Sequence, residues 1–303
     1  MERFYFYFSP NNSGTTIISQ YLANQVDGYL PPFGNFEGQK APEVRDMMRD
    51  GPWDPGRSFD WTFIRAAWER LLAESGRKTF IEASPPNMLR VQAILEAFDH
   101  DAKACLGISN PYLQISSCLK NYTNAPLTRD ALRQATDDWV FRASVQRNNV
   151  NTYAGKIPLV RYEDFCRDPT LVNKAFGVPV RDSIQVSGKR KTKVDGIMDL
   201  TAKNIGFLSY SEIQEINRVL DSEQDLLSFF GYDILNIDSM NRIMSENPAL
   251  THSGLLDRLQ WETGKRRPRR EKSSQSEAKA EDKTAPNSGP AAKASLSRWF
   301  KRS

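Results

Sequence analysis

Short apolar runs alternate with longer amphipathic segments through most of the chain. The runs occupy residues 4–8, 79–81, 104–108 and 157–160, and each is almost continuously apolar, which is typical of strands that are buried on both faces. A segment with apolar residues at helical spacing follows each run. Strands and helices that alternate in this way predict an α/β protein in three layers, with a central parallel sheet flanked by helices.

The same pattern divides the chain into segments. Residues 27–60 are rich in Gly, Pro and Asp and are too many for a plain connection, so we predict a lid or binding loop inside a compact domain of residues 1–235. Residues 236–263 predict an appended helical segment. Residues 264–303 contain almost no apolar side chains, which predicts a disordered basic tail.

A candidate anion site lies where the first predicted strand gives way to the first predicted helix. Residues 9–16 read Ser-Pro-Asn-Asn-Ser-Gly-Thr-Thr, and a turn of this kind points backbone N–H groups and the positive end of the helix dipole at one place. The fold is therefore P-loop-like, but Thr15 stands where the nucleotide-triphosphate motif has its lysine. A donor with a single 5′-phosphate suits this turn better than ATP. The alternative is an ordinary capped start of a helix.

Charge and composition exclude several kinds of site. Residues 264–303 contain 12 of the 41 basic residues and 4 of the 37 acidic residues. That segment therefore carries a net charge of +8, and the rest of the chain carries −4. We therefore expect no nucleic-acid partner for the folded part. Three cysteines without C-x-x-C spacing indicate a reducing, cytoplasmic setting, and with only two histidines we expect no metal centre.

Three motifs occur in a fixed order along the chain. Residues 10–16 read Pro-Asn-Asn-Ser-Gly-Thr-Thr, residues 80–87 read Phe-Ile-Glu-Ala-Ser-Pro-Pro-Asn, and residues 108–111 read Ile-Ser-Asn-Pro, with Ser117 six residues after the proline. Together they resemble the 5′-phosphosulfate loop, the Glu-Lys-Ser-Pro block and the 3′-phosphate block of sulfotransferases that use 3′-phosphoadenosine 5′-phosphosulfate (PAPS). The resemblance is to bacterial and glycan-modifying members in particular. Residues 161–169 and 188–193 match the family's Tyr-Glu-Asp helix and basic donor-capping loop more weakly.

This resemblance implies a role for each motif. Glu82 would be the general base that takes the proton of the acceptor hydroxyl; its alternative role is a helix cap or the partner of a cation. The other residues would bind the donor. The 5′-phosphosulfate would be bound by Asn12, Ser13, Gly14, Thr15 and Thr16, and the 3′-phosphate by Ser109 and Ser117. A basic loop with Lys189, Arg190, Lys191 and Lys193 would close over the donor, unless it is an ordinary solvated loop.

The chain departs from the family pattern at three positions. Asn12, Ala83 and Ser109 stand where the family has basic residues. A charge-assisted hydrogen bond contributes roughly 1.5 to 3 kcal/mol against about 1 kcal/mol for a neutral one, so donor binding would weaken unless other cations compensate. The candidates are the basic loop at residues 189–193 and four single residues, Arg3, Lys40, Arg45 and Arg90.

Two functions of different classes stay open at this point. The first is a sulfotransferase that moves a sulfuryl group from PAPS to a hydroxyl of a glycan or glycolipid acceptor, with Trp53, Trp61 and Trp68 either stacking on sugar rings or belonging to the core. The second is a catalytically impaired relative that binds a nucleotide and recruits partners. A kinase is a third interpretation, against which the missing lysine argues. The final Leu-Ser-Arg-Trp-Phe-Lys-Arg stretch would give a peripheral membrane contact, unless the tail only solubilises the protein.

Overall fold

The computed structural model describes residues 3–181 and 197–264. Four strands and thirteen α-helices lie in these ranges. The strands are β1 (Phe4–Phe8), β2 (Phe80–Glu82), β3 (Ala102–Ile108) and β4 (Leu159–Arg161). The helices are α1 (Thr15–Val26), α2 (Arg45–Met48), α3 (Trp61–Ser75), α4 (Val91–Phe98), α5 (Pro111–Tyr122), α6 (Arg129–Thr152), α7 (Tyr162–Arg167), α8 (Thr170–Phe176), α9 (Thr201–Ile205), α10 (Tyr210–Leu220), α11 (Gln224–Phe230), α12 (Ile237–Glu246) and α13 (Pro248–Glu262).

The strands form one parallel sheet in the order β2-β1-β3-β4. Phe4 of β1 is in register with Phe80 of β2 and with Ala102 of β3, and Leu106 of β3 is in register with Leu159 of β4. The next strand in the chain, β2, lies beside one edge of β1, and β3 lies beside the other edge. The strand order therefore reverses at β1. Ligands of open α/β sheets bind at such a point, outside the carboxyl ends of the strands.

The side chains of β1 alternate between two apolar layers, which confirms the predicted three-layer arrangement. Phe4, Phe6 and Phe8 pack with residues of α3 and α4 on one face of the sheet. Tyr5 and Tyr7 pack on the other face with residues of α1, α7 and α8. Because both faces are covered, β1 reads as a continuous apolar run rather than as an alternating one.

A third apolar cluster extends the fold beyond the sheet. It joins α5 and α6 to α9, α10 and α11, and it includes Met240 of α12 and Trp261 of α13. Gly254 lets α13 approach α9 closely, because a Cβ atom at this position would lie 2.1 Å from the carbonyl oxygen of Lys203. The two last helices therefore pack into the same compact unit as the sheet, which spans Met1–Pro268.

One predicted helix starts later than its sequence suggests. The spacing of apolar residues predicts a helix from residue 87, but residues Pro85–Arg90 form a 3₁₀-helix and α4 begins at Val91. The buried guanidinium of Arg90 donates to the carbonyl oxygens of Pro52, Asp54, Arg57 and Pro86. Arg90 thus holds the second half of the long segment 27–60 against the 3₁₀-helix.

Gln146 of α6 clamps the carboxyl ends of two strands. Its buried side-chain amide donates to the carbonyl oxygens of Phe8 and Gly107, at 2.6 and 2.7 Å.

We expect Gln146→Leu to lower the free energy of unfolding by about 2 to 4 kcal/mol, because two buried carbonyl groups lose their donor. Urea unfolding measures this. Gln134→Leu, at an exposed position of the same helix, is the matched control and should change stability little; equal losses in the two variants would contradict the clamp.

Candidate functional site

The turn between β1 and α1 has the geometry of an anion cradle. Gly14 has a φ of +76° and directly precedes α1, and Asn12 has a φ of +62°. Among the described residues, no side chain caps the N-terminus of α1, in contrast to α5, whose first N–H groups are capped by Asn110. Backbone N–H groups at an uncapped helix start are free to bind an anion, and the helix dipole favours negative charge there.

Tyr162 fixes the position of the cradle from outside. A Cβ atom at Gly14 would lie 2.3 Å from Cδ2 of the Tyr162 ring. The hydroxyl of this buried tyrosine donates to the carbonyl oxygen of Met198 at 3.3 Å and accepts from the N–H group of Leu200 at 3.4 Å. The ring is therefore held in place through its hydroxyl group, and only glycine fits at position 14.

Hydrogen bonds join the cradle to the start of α5. The Ser109 hydroxyl donates to the Ser13 hydroxyl at 2.9 Å, and Ser13 donates to Oε1 of Gln114 at 3.2 Å. Farther along α5, Asn121 donates to Oδ1 of Asn12 at 3.2 Å. The structure thus brings the predicted 5′-phosphosulfate residues and Ser109 together at the edge where β1 and β3 end.

Several polar atoms around the cradle have no hydrogen-bond partner in the described part of the chain. They are Oδ1 of Asn11, Nδ2 of Asn12 and Nε2 of Gln114. Buried polar groups normally have partners, so unpartnered ones call for a ligand or water. The amide N–H groups of Asn12 and Gln114 are donors from which a phosphate or sulfuryl oxygen can accept, so these two residues fit a nucleotide's anionic groups, whereas Oδ1 of Asn11 is an acceptor that calls for a donor such as water.

Ser117 lies on the same face of α5 as Gln114 and Asn121, at spacings of three and four residues. Its hydroxyl donates to Oδ1 of Asn204 in α9 at 3.1 Å. Sequence analysis missed both Gln114 and Asn121. The polar stripe that they form with Ser117 along one side of α5 is the signal that would have found them.

Glu82 lies at the end of β2 with only 1% of its surface exposed. Its Oε1 accepts from the N–H group of Ser84 at 2.8 Å and from the Asn87 side chain at 3.0 Å, and its Oε2 accepts from the N–H group of Gly38 at 2.7 Å. Burial raises the pKa of Glu82 to about 7, although its hydrogen bonds with Ser84 and Gly38 act in the opposite direction. The carboxyl group therefore titrates near neutral pH and lies under the turn at Gly38.

The raised pKa of Glu82 predicts a dependence of stability on pH. The folded protein binds more protons than the unfolded chain between pH 4.5, the ordinary value, and about 7. The contribution of Glu82 to the free energy of unfolding therefore falls by about 3 kcal/mol as the pH rises through this interval. Urea unfolding at pH 5 and pH 7.5 should show a drop in the wild type that is about 2 kcal/mol larger than in Glu82→Gln, since part of the fall lies below pH 5. Equal drops in both proteins would contradict the shift.

The four cations considered as substitutes for the missing basic residues are engaged elsewhere. Arg3 pairs with Glu69 and Asp101, and Lys40 pairs with Glu37. Arg45 is half exposed beside Asp46, and Arg90 donates to carbonyl groups of the long segment. The basic loop with Lys189, Arg190, Lys191 and Lys193 lies outside the described residues, as does nearly all of the predicted tail.

The tryptophans considered for sugar stacking are placed differently from one another. Trp61 and Trp68 are buried in the core on one face of the sheet, where Trp68 stacks on Phe80 with ring centroids 5.3 Å apart. The ring of Trp53 lies under the guanidinium of Arg142, at 4.6 Å from its centroid. Trp61 and Trp68 are thus core residues, and no sugar ring can stack on them.

A second, partly buried acid lies near the cradle. Glu163 of α7 accepts from the N–H group of Asn110 at 2.7 Å and from the hydroxyl of Tyr232 at 3.0 Å. Burial raises its pKa. Both oxygens of Glu163 thus tie α7 to the start of α5 and to the segment after α11, which stabilises the loops around the cradle.

Within residues 3–181 and 197–264, no group of three or more His, Cys, Asp or Glu residues is arranged to hold a metal ion. No helix in these ranges is both long and apolar enough to cross a bilayer.

A surface cavity of about 210 Å³ lies beside the C-terminal half of α1, between Asn24, Phe36 and Arg77. It is not part of the cradle, which lies at the other end of α1.

Comparison with known proteins gives matches among solved structures only. No family model matches the chain, and no curated protein matches it. The sulfotransferase domain from the curacin biosynthetic pathway is similar at 15% identity and a TM-score of 0.49, over 78% of this chain and 99% of that one. The sulfotransferase domain of a Synechococcus olefin synthase is similar at 17% identity and a TM-score of 0.49, over 78% of this chain and 96% of that one. A sulfotransferase from Alicyclobacillus acidocaldarius is similar at 16% identity and a TM-score of 0.47, over 77% of this chain and 97% of that one.

Proposed function

We propose that the chain is a sulfotransferase that moves a sulfuryl group from PAPS to a hydroxyl group of an acceptor. The observation that carries this proposal is the hydrogen bond between Ser13 and Ser109. It joins two motifs, separate in sequence, that resemble the family's 5′-phosphosulfate loop and 3′-phosphate block. Their meeting place is the carboxyl edge of a parallel sheet, beside the uncapped start of α1, where such sheets bind their ligands.

The cradle would bind the donor and stabilise negative charge during transfer. Sulfuryl transfer to an alcohol resembles phosphoryl transfer, in which positioning and charge stabilisation supply most of the catalysis. Backbone N–H groups from Ser13 to Thr16 and the amide group of Gln114 would hold the 5′-phosphosulfate. Preorganised donors of this kind stabilise charge without rearranging during the reaction.

Glu82 would take the proton from the acceptor hydroxyl. A pKa of about 7 is well matched to a general base that works near neutral pH. Since the turn at Gly38 covers the carboxyl group, the base becomes accessible only when this turn moves away from it. Residues 38–40 would then act as a lid over the acceptor site, within the predicted lid segment 27–60.

The acceptor class rests on the resemblance to glycan-modifying members, so we propose a glycan or glycolipid hydroxyl. The second candidate is a catalytically impaired relative that binds the nucleotide alone, and a specific observation favours it. Asn12, Ala83 and Ser109 lack the positive charge of the family's residues, and Arg3, Lys40, Arg45 and Arg90 do not replace it at the cradle.

Incubation with labelled PAPS and a bacterial envelope glycan pool separates the two candidates. The sulfotransferase predicts label in the glycan fraction, which disappears with Glu82→Gln while donor binding persists. The impaired relative predicts donor binding without transfer by either protein. Absence of both binding and transfer in the wild type would overturn the proposed function.

A further inference from the structure

A pair of donors on α5 converges on one oxygen atom near the cradle. Oδ1 of Asn204 accepts from the Ser117 hydroxyl at 3.1 Å and from Nζ of Lys120 at 2.9 Å. Ser117 and Lys120 are three residues apart and therefore share a face of the helix. A hydroxyl and an ammonium group that meet at one acceptor oxygen are the donors that a phosphate oxygen also takes.

The charges in this cluster favour an additional anion. Only 7% of Lys120 is exposed. Oδ2 of Asp257 in α13 lies 3.5 Å from Nζ of Lys120 and 3.2 Å from Nζ of Lys203 in α9. Among the described residues, these three groups sum to one positive charge. A buried cluster with a net positive charge binds an anion more strongly than an exposed one, because water screens it less.

Lys120 is adjacent in sequence to a residue that contacts the cradle. Asn121, the residue after Lys120, donates to Asn12 in the turn between β1 and α1. Asn12 and Ser109 are two of the positions at which the chain lacks the cations expected from the resemblance. Lys120 thus brings a positive charge to the side of the cradle on which Ser117 would meet the 3′-phosphate.

We propose that Lys120 is the cationic ligand of the nucleotide's 3′-phosphate, and that Asp257 of α13 competes with this phosphate for Lys120. The proposal rests on the proposed function and deepens it. It makes α13 part of the donor site rather than an accessory helix. It also assigns to Lys120 the charge that the sequence motifs lack.

The test compares two nucleotides that differ only in the 3′-phosphate. Calorimetric titration gives the dissociation constants of adenosine 3′,5′-bisphosphate and of adenosine 5′-monophosphate. Lys120→Met should weaken bisphosphate binding by about tenfold or more and monophosphate binding by less than about twofold. Lys156→Met, at an exposed position, is the matched control and should change neither constant.

A second variant should act in the opposite direction. Asp257→Asn removes the competing carboxylate and should strengthen bisphosphate binding by about threefold or more, with no gain for the monophosphate. This result decides the matter even when Lys120→Met does not fold. Bisphosphate binding that is unchanged or weakened in Asp257→Asn, or equal losses for both nucleotides in folded Lys120→Met, would overturn the role of Lys120 alone. Failure of the wild type to bind either nucleotide would overturn the proposed function as well.

Discussion

Gly14→Ala is expected to weaken binding of adenosine 3′,5′-bisphosphate by one to two orders of magnitude. A side chain at φ +76° is strained by roughly 1 to 2 kcal/mol. The added Cβ atom would also lie 2.3 Å from the Tyr162 ring, which is held by Met198 and Leu200. The turn must therefore shift, and losing one or two charge-assisted hydrogen bonds to the anion, at roughly 1.5 kcal/mol each, weakens binding by about 10- to 100-fold. Calorimetric titration of the nucleotide measures this effect.

Gly155→Ala separates the cost of backbone strain from the clash at the cradle. Gly155 has a φ of +72°, nearly the same as Gly14, but a Cβ atom there would meet no atom within 4 Å in the part of the chain that the structure describes. We expect this control to lose about 1 kcal/mol of stability and to bind the nucleotide like the wild type. If Gly14→Ala binds as tightly as Gly155→Ala, the turn between β1 and α1 does not hold the nucleotide.

Glu82→Gln is expected to lower kcat by about 100- to 10,000-fold, the range that a general base contributes. Activity of the wild type should rise with pH through about 7, since the base must be deprotonated and burial raises its pKa to that value. The variant should lose this rise, because an amide does not titrate. The measurement is a pH profile of sulfuryl transfer for both proteins.

Ser84→Ala distinguishes catalysis from a purely structural role of Glu82. The Ser84 hydroxyl accepts from the N–H group of Gln39 at 3.2 Å, so this variant weakens the same turn and keeps the carboxyl group. We expect it to retain most of kcat and a rise of activity with pH, displaced to higher pH because the Ser84 hydroxyl also lowers the pKa of Glu82. If both variants lose activity in proportion to stability, with unchanged pH profiles, Glu82 only anchors the turn at Gly38.

The sequence was sufficient for the elements whose cause is local. A short apolar run such as residues 4–8, bounded by a Pro/Asn/Gly turn, is typical of a buried strand, and the glycine of the Ser-Gly-Thr-Thr turn after it has the positive φ that glycine tolerates best. These two features placed the cradle at the correct edge of the sheet. The helix predicted after Pro85 was less accurate, because residues Pro85–Arg90 form a 3₁₀-helix there. Arg90 in this 3₁₀-helix contacts a segment that is distant in the chain, and local spacing does not reveal such contacts.

Long-range contacts explain what the sequence could not predict. Glu82 is covered by Gly38, which is 44 positions away in the chain, and no local pattern reveals that contact. The meeting of Lys120 with Asn204 and Asp257 depends in the same way on how α9 and α13 pack against α5. Gln114 and Asn121 lie between these cases, because their spacing is visible in the sequence but their partners in the cradle are not.

The most direct test of the account is a calorimetric competition between adenosine 3′,5′-bisphosphate and ATP for the full-length protein. The account predicts one site that binds the bisphosphate, is weakened by Gly14→Ala, and prefers the bisphosphate over ATP, because the cradle lacks the lysine that holds the outer phosphates of ATP. Tight binding of ATP together with no measurable affinity for the bisphosphate would contradict it.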